Sequence, residues 1–313
     1  MRETYSYSTR FRKPVGVGNL NFESTALRPL IRSYVRNIEK KTARYEPPKG
    51  INKKRIAVPT KDGEIPCYLL EPADIDAALP AILYLHGGGF LFPILHSRLN
   101  NAVYYAQKMN CRVLMPEYRL AWDNPFPAAF DDCCAVYEYM LAHTRQLGIA
   151  PEKLLIMGDS AGGCLSAGVT LYARDKGISQ LRGQLLLYPV TDDRMNDNTL
   201  RDYKDAVWTT SSNRHMWSLY TAKGFFDRRE YAVPFSNPDL SNLPPAYIEA
   251  QEMDCLRQQG VDYGEKLRTF GVKTEIRVIA GSYHGFDVDM KNKTVQRILD
   301  ERCQVMKQML SQP

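Results

Sequence analysis

From residue 81 onward, short apolar runs alternate with stretches of helical period, a pattern that commits a chain to βαβ units and a mostly parallel sheet. Strand candidates are Ala81–Leu85, Arg112–Met115, Leu154–Met157, Gln184–Tyr188, Ala246–Ala250 and Thr274–Ile279. Helix candidates fall near 97–109, 127–146, 161–176, 257–270 and 293–310. Strands that are apolar throughout need cover on both faces, so helices are expected on each side of the sheet. Ahead of them, Arg55-Ile-Ala-Val-Pro and Ile65-Pro-Cys-Tyr-Leu-Leu70 flank Lys61-Asp62-Gly63, the pattern of a hairpin and of an antiparallel edge. A chain of 313 residues admits one large α/β domain or two smaller ones.

Two stretches depart from the alternation. Residues 1 to 22 are polar, are punctuated by Pro14, Gly16 and Gly18, and read as irregular. A helix is expected after Ser24-Thr25, with Leu27, Leu30, Ile31, Tyr34, Val35 and Ile38 on one stripe, and Pro47-Pro48-Lys49-Gly50 reads as a linker. The stretch 194 to 242 is rich in Asn, Asp and Ser and carries Trp208, Trp217, Tyr220, Phe225 and Phe226. It is longer than a sheet connection needs, so it reads as an insertion above the sheet.

Charge and cysteine usage narrow the setting. The net charge of +6 is uneven, with 14 basic against 4 acidic residues in positions 1 to 55. Basic residues interleaved with apolar ones at helical spacing describe the solvated face of an amphipathic element, and no nucleic acid or stable membrane partner is expected. Seven cysteines, an odd number without a C-x-x-C pair, lie mostly among apolar neighbours, the pattern of reduced thiols in a core. No zinc-ligand spacing is present, so no metal is expected. The first residues lack the apolar stretch of a signal peptide, and no apolar run would span a bilayer, which points to a cytoplasmic protein.

The chemistry resides at strand ends. Leu154-Leu-Ile-Met-Gly-Asp-Ser-Ala-Gly-Gly is a buried strand, a Gly-x-Ser-x-Gly turn and the start of an apolar helix. A turn that tight needs small neighbours, and it holds the Ser160 hydroxyl clear of the backbone at a helix N-terminus. The plainer alternative is a glycine-rich turn with Ser160 as a helix cap. Upstream, Ala81-Ile-Leu-Tyr-Leu-His86-Gly87-Gly88-Gly89-Phe90 ends a second strand in three glycines. Glycines let backbone N–H groups converge on one point, as an oxyanion requires. A phosphate-binding loop fits less well, because neither Lys-Ser/Thr nor G-x-G-x-x-G follows.

A serine nucleophile needs a base, and there are five histidines. His86 belongs to the glycine loop and is expected to hold it by hydrogen bonds. His96 and His143 precede the serine, against the chain order serine, acid, histidine. His215 lies in the insertion, as a surface or lid residue. His284, in the polar loop Gly281-Ser-Tyr-His-Gly-Phe286 after the last strand, is the expected base. For the acid, Asp254 follows the strand Ala246–Ala250, with Glu252 as alternate; either could instead favour the next helix's N-terminus.

These residues together resemble the hormone-sensitive-lipase-like carboxylesterases of the α/β-hydrolase fold, over most of residues 60 to 310. The family's His-Gly-Gly-Gly loop stands at 86–89, its Gly-Asp-Ser-Ala-Gly-Gly elbow at 158–163, and its Tyr-Arg-Leu-Ala segment at Tyr118–Ala129. Its acid motif matches Asp254–Gly260 and its His-Gly-Phe matches 284–286. Trp122-Asp123, Cys255 and Gln258-Gln259 replace the family's Pro-Glu, Pro and Asp-Glu, which bears on loop packing rather than on the serine, acid or histidine. The resemblance implies a mostly parallel central sheet flanked by helices, with a helical cap built from residues 1–50 and from about 194–242 over a catalytic domain of 51–313. It also implies oxyanion donors at the N–H groups of Gly88, Gly89 and Ala161, hydrolysis of short- to medium-chain acyl esters, and no cofactor.

Candidate pocket walls are Phe90, Trp208, Met216 and Trp217, with Phe225 and Phe226; aromatics in an insertion equally serve as its own small core. Amidase, peptidase or acyltransferase chemistry shares the same acyl-enzyme and stays open, as do a ligand-binding protein on a hydrolase scaffold and a lipase that docks through its basic N-terminal helix. Acyl length, alcohol group and oligomeric state are not legible.

Overall fold

In a computed structural model, residues 3–5, 11, 28–194 and 206–311 are described. Among the described residues nine strands, numbered in chain order, form one sheet in the order β1-β9-β8-β7-β6-β4-β5-β3-β2. The hairpin β2 (Ile51–Thr60) and β3 (Gly63–Pro72) closes at Lys61-Asp62 and lies antiparallel at one edge. The inner strands β4 (Leu79–Leu85), β5 (Arg112–Pro116), β6 (Ile149–Asp159), β7 (Leu181–Leu187), β8 (Ala246–Met253) and β9 (Thr274–Tyr283) are mutually parallel. Glu3–Tyr5, expected to be irregular, instead adds β1 parallel to β9 at the far edge. Backbone pairing there supplies an order that side-chain pattern did not announce.

Helices α2 (His96–Met109) and α8 (Lys293–Ser311) pack on one face. α3 (Ala128–Ala142), α4 (Ala161–Asp175) and α7 (Arg257–Thr269) cover the other. α3 ends at Ala142, short of the expected 146, because the chain turns there into β6 and the Ile149 N–H bonds back to the Thr144 carbonyl at 2.7 Å. β4 lies between β5 and β6, so the two crossovers from β4 to β5 and from β5 to β6 run to opposite sides. The crevice beyond the carboxyl ends of β4 and β6 is such a switch point, where open α/β sheets place ligands.

Helix α1 (Arg28–Ala43) forms where the stripe is read, but Leu30 and Tyr34 stay exposed. Its buried side is Val35 and Thr42, whose hydroxyl donates to the Ile94 carbonyl at 2.8 Å. Residues 47–50 are a turn that enters β2 directly, since Ile51 N–H bonds Pro48 and Ala73 N–H bonds Gly50. Within the expected insertion, 195–205 lie outside the described residues. The rest holds α5 (Thr210–Tyr220), capped by Thr209 accepting from Ser212 N–H, then the short α6 (Arg229–Ala232). Among the described residues no helix is long and apolar enough to cross a membrane.

All seven cysteines are buried free thiols. Burial pushes the thiols of Cys67, Cys111, Cys133, Cys134, Cys164 and Cys303 up, away from the reactive thiolate. Ellman's reagent is therefore expected to find no fast-reacting thiol in the native protein and seven after unfolding in guanidinium. A stoichiometric fast native reaction would contradict this packing.

Candidate active site

Ser160 sits between β6 and α4 with φ +55° and ψ −120°, a backbone conformation that costs a residue with a Cβ about 1–3 kcal/mol. Its neighbours show why the turn survives. A Cβ on Gly158 would stand 2.1 Å from the Gly162 carbonyl oxygen, and one on Gly162 only 2.0 Å from that of Leu85 in β4. The helix start is thus pressed against the adjacent strand, and only glycine fits on either side. Ser160 N–H bonds the Leu187 carbonyl at 2.9 Å, and its own carbonyl accepts from Gly163 and Val190. The hydroxyl makes no cap bond to α4, which removes the plainer reading.

That hydroxyl lies 2.9 Å from His284 Nε2. His284 Nδ1 lies 2.6 Å from Asp254 Oδ2, and the second oxygen of Asp254 accepts from Leu256 N–H at 3.0 Å. Asp254 is 2% exposed. A carboxylate only accepts, so Nδ1 carries the proton and Nε2 is left to accept from the serine. Glu252, the alternate acid, is exposed and accepts from Gly281 N–H at 2.7 Å instead. His96 meets Tyr45 edge to face, His143 stacks on Tyr139, and His215 lies on α5.

The glycine loop flanks the serine. Gly88 and Gly89 have φ of +127° and +60°, open to glycine alone at low cost. Their N–H groups donate to no protein acceptor among the described residues. The N–H of Ala161, first residue of α4, precedes the helix's own hydrogen bonds. His86 holds the loop from below: its Nδ1 meets the Gly87 carbonyl at 2.9 Å, its ring stacks on Tyr118, and the Tyr118 hydroxyl donates to its carbonyl. Burial lowers the His86 pKa to about 4, so the ring is a neutral strut. Trp122, one of the departures from the family motif, donates its indole N–H to Leu91 at 2.6 Å and so braces the same loop. Burial raises the Asp159 carboxyl against the pull of Arg98, whereas Arg98 and Arg302 together outweigh burial at Asp287 and hold that carboxyl well below the usual range.

A cavity of about 270 Å³ opens over Ser160 and His284. Larger hollows lie elsewhere on the surface, away from the serine, and hold none of this chemistry. Of the candidate walls only Trp208 lines the cavity, against Gly89. Phe90, Met216 and Trp217 are packed in the core beneath it, Phe90 stacked on Tyr220 at 3.7 Å. Phe90 has φ +59°, which turns its side chain inward rather than toward the cavity. Phe225 is part-buried and Phe226 exposed, and neither reaches it. The remaining walls, among them Tyr34, Ile38, Phe92, Leu95 and Val207, are scattered in sequence, and no local pattern marks them.

A family described as having the alpha/beta hydrolase fold matches residues 82–288, a span that holds all three site residues. Esterase LipI of Mycobacterium tuberculosis is 33% identical across 67% of this chain and 66% of its own length. Carboxylesterase NlhH of the same species is 33% identical across 71% of each chain. Among solved structures, a bacterial heroin esterase superposes with a TM-score of 0.82 at 29% identity, covering 91% of this chain and 92% of its own. The thermophilic carboxylesterase EstE1 from a metagenomic library gives 0.82 at 26% identity, covering 94% and 100%.

Because Gly162 admits no side chain, Gly162→Ala is expected to cost about 2 kcal/mol or more in urea unfolding and to displace Ser160. Unchanged stability and intact activity in that variant would mean that the elbow is not closed as described.

Proposed function

This chain belongs to the α/β-hydrolase family as a carboxylesterase, and from that premise we propose that it cleaves small, uncharged acyl esters through Ser160, His284 and Asp254. One observation carries the reading: a single imidazole reaches the serine hydroxyl at 2.9 Å and a buried carboxylate at 2.6 Å.

Ser160 Oγ attacks the ester carbonyl as His284 Nε2 takes its proton. The oxygen that becomes negative is met by the N–H groups of Gly88, Gly89 and Ala161. The imidazolium, steadied by Asp254, gives its proton to the departing alcohol and leaves an acyl-enzyme. Water then loses a proton to His284, attacks the acyl carbon and releases the acid, and the proton returns to Ser160.

Size and charge of substrate follow from the cavity. Its walls are mostly apolar, and its charged side chains, Arg98 and Asp159, pair with each other. Among the described residues no charge is left to meet an anionic or cationic substrate, and about 270 Å³ suits short- to medium-chain acyl groups. We read α1 and the segment around 194–242 as two parts of a cap, because Tyr34 and Ile38 from the first and Val207 and Trp208 from the second wall one cavity. Buried free thiols throughout fit a reducing, cytoplasmic setting.

A chain-length series of p-nitrophenyl esters on wild type and Ser160→Ala tests this. The variant should fold and lose on the order of 10⁴-fold or more in kcat, and activity should fall with long or charged acyl groups. Near-wild-type activity in Ser160→Ala would refute the serine mechanism. Faster turnover of anilides, or transfer to alcohols in place of water, would favour an amidase or acyltransferase.

A further inference from the structure

Five charged side chains lie buried in one row beneath the site. Arg98 Nε stands 3.1 Å from Asp159, and Arg98 Nη1 2.8 Å from Asp287. Arg302 reaches Asp287 with Nη1 at 2.8 Å and Glu249 with Nη2 at 2.6 Å. The row therefore reads Asp159, Arg98, Asp287, Arg302, Glu249, carboxylates alternating with guanidinium groups. Taking ions out of water is costly, and apolar side chains of equal volume are often as stable, so stability alone does not account for it.

The position of the carboxylates in the chain does. Asp159 immediately precedes Ser160, Asp287 follows His284 by three residues, and Glu249 lies on β8 five residues before Asp254, which follows that strand. Each segment that presents one of the three site residues carries one carboxylate of the row. Two arginines, from α2 and α8, tie the segments together.

The row meets the imidazole through Tyr188. This residue, 1% exposed, follows β7 with φ +36°, which is strained for a side chain of its size. Its N–H bonds the Glu249 carbonyl, and its hydroxyl donates to Asp287 Oδ1 at 2.8 Å. Its ring packs on His284 with centroids 5.0 Å apart and planes at 68°, while Trp208 lies on the imidazole at 5.9 Å. The bond to Asp254 alone would let the imidazole pivot about Nδ1. A ring fixed at both backbone and hydroxyl removes that freedom.

We propose that Tyr188 is a positioning residue for His284: its ring, braced by Asp287 and the charge row behind it, sets the tilt at which Nε2 faces Ser160. The inference rests on the Ser160–His284–Asp254 reading. Its test compares wild type with Tyr188→Phe, Tyr188→Leu and Tyr188→Met, each assayed well below its own melting midpoint. Two quantities are read: kcat and KM for p-nitrophenyl acetate, and the rate of phosphonylation by a fluorophosphonate, which needs an activated serine but little substrate binding.

Tyr188→Phe keeps the ring but loses its brace on Asp287, and should fall about 3- to 10-fold in kcat and labelling. Tyr188→Leu and Tyr188→Met should lose on the order of 30- to 100-fold in both, with KM within about twofold, as expected of a small misplacement of the base. Wild-type kcat and labelling in a folded Leu or Met variant would overturn the proposal. So would a Tyr188→Phe that falls as far as they do, or failure of both Leu and Met to fold while Phe folds, since Tyr188 would then serve only the core. A wild-type protein that the probe leaves unlabelled, or labels away from Ser160, defeats the serine reading instead, so the two failures are distinct.

Discussion

The press of α4 against β4 at Gly162 is the constraint on which the rest of the site depends. With a Cβ only 2.0 Å from the Leu85 carbonyl oxygen, no other residue lets the helix begin so close to the neighbouring strand. That proximity forces Ser160 into a positive-φ conformation, and the strain of about 1–3 kcal/mol is offset by the strand and helix packed on either side. It also brings the N–H at the start of α4 beside the glycine loop that ends β4. A strained, presented Ser160 hydroxyl and a set of backbone N–H groups beside it are thereby produced by one backbone contact.

The sheet then places the partners. Ser160 follows β6, Asp254 follows β8 and His284 follows β9, all at carboxyl ends of parallel strands. None depends on a long flexible loop. Tyr188, one residue past β7, stands in the gap between the serine strand and the acid strand. The charge row from Asp159 to Glu249 runs under the same strand ends and joins them to α2 and α8. The geometry of the site is thus set from below by buried groups and left open above, where the walls come from α1 and the segment around Trp208.

What could be read in advance follows from this division. The elbow, the glycine loop, the parallel sheet and its edge hairpin are local patterns, dictated by backbone sterics and strand period, and they were legible residue by residue. His284 and Asp254 were reachable because the chain order of strand ends restricts the choice. The pocket was not. Aromatics such as Trp217 and Phe90 look the same in sequence whether they wall a cavity or fill a core, and backbone conformation decides between them. Tyr34 and Ile38 stand on the apolar stripe of α1, yet Tyr34 stays exposed and both edge the cavity. The charge row leaves no short motif in the sequence, because its contacts join Arg98 to Asp287 across 189 residues and Arg302 to Glu249 across 53.

Rapid-quench mass spectrometry with a p-nitrophenyl ester tests the central claim most directly. An acyl group on Ser160, formed and discharged at rates that account for turnover, is the predicted result. Turnover with no acyl adduct, or with the adduct on another residue, would contradict it.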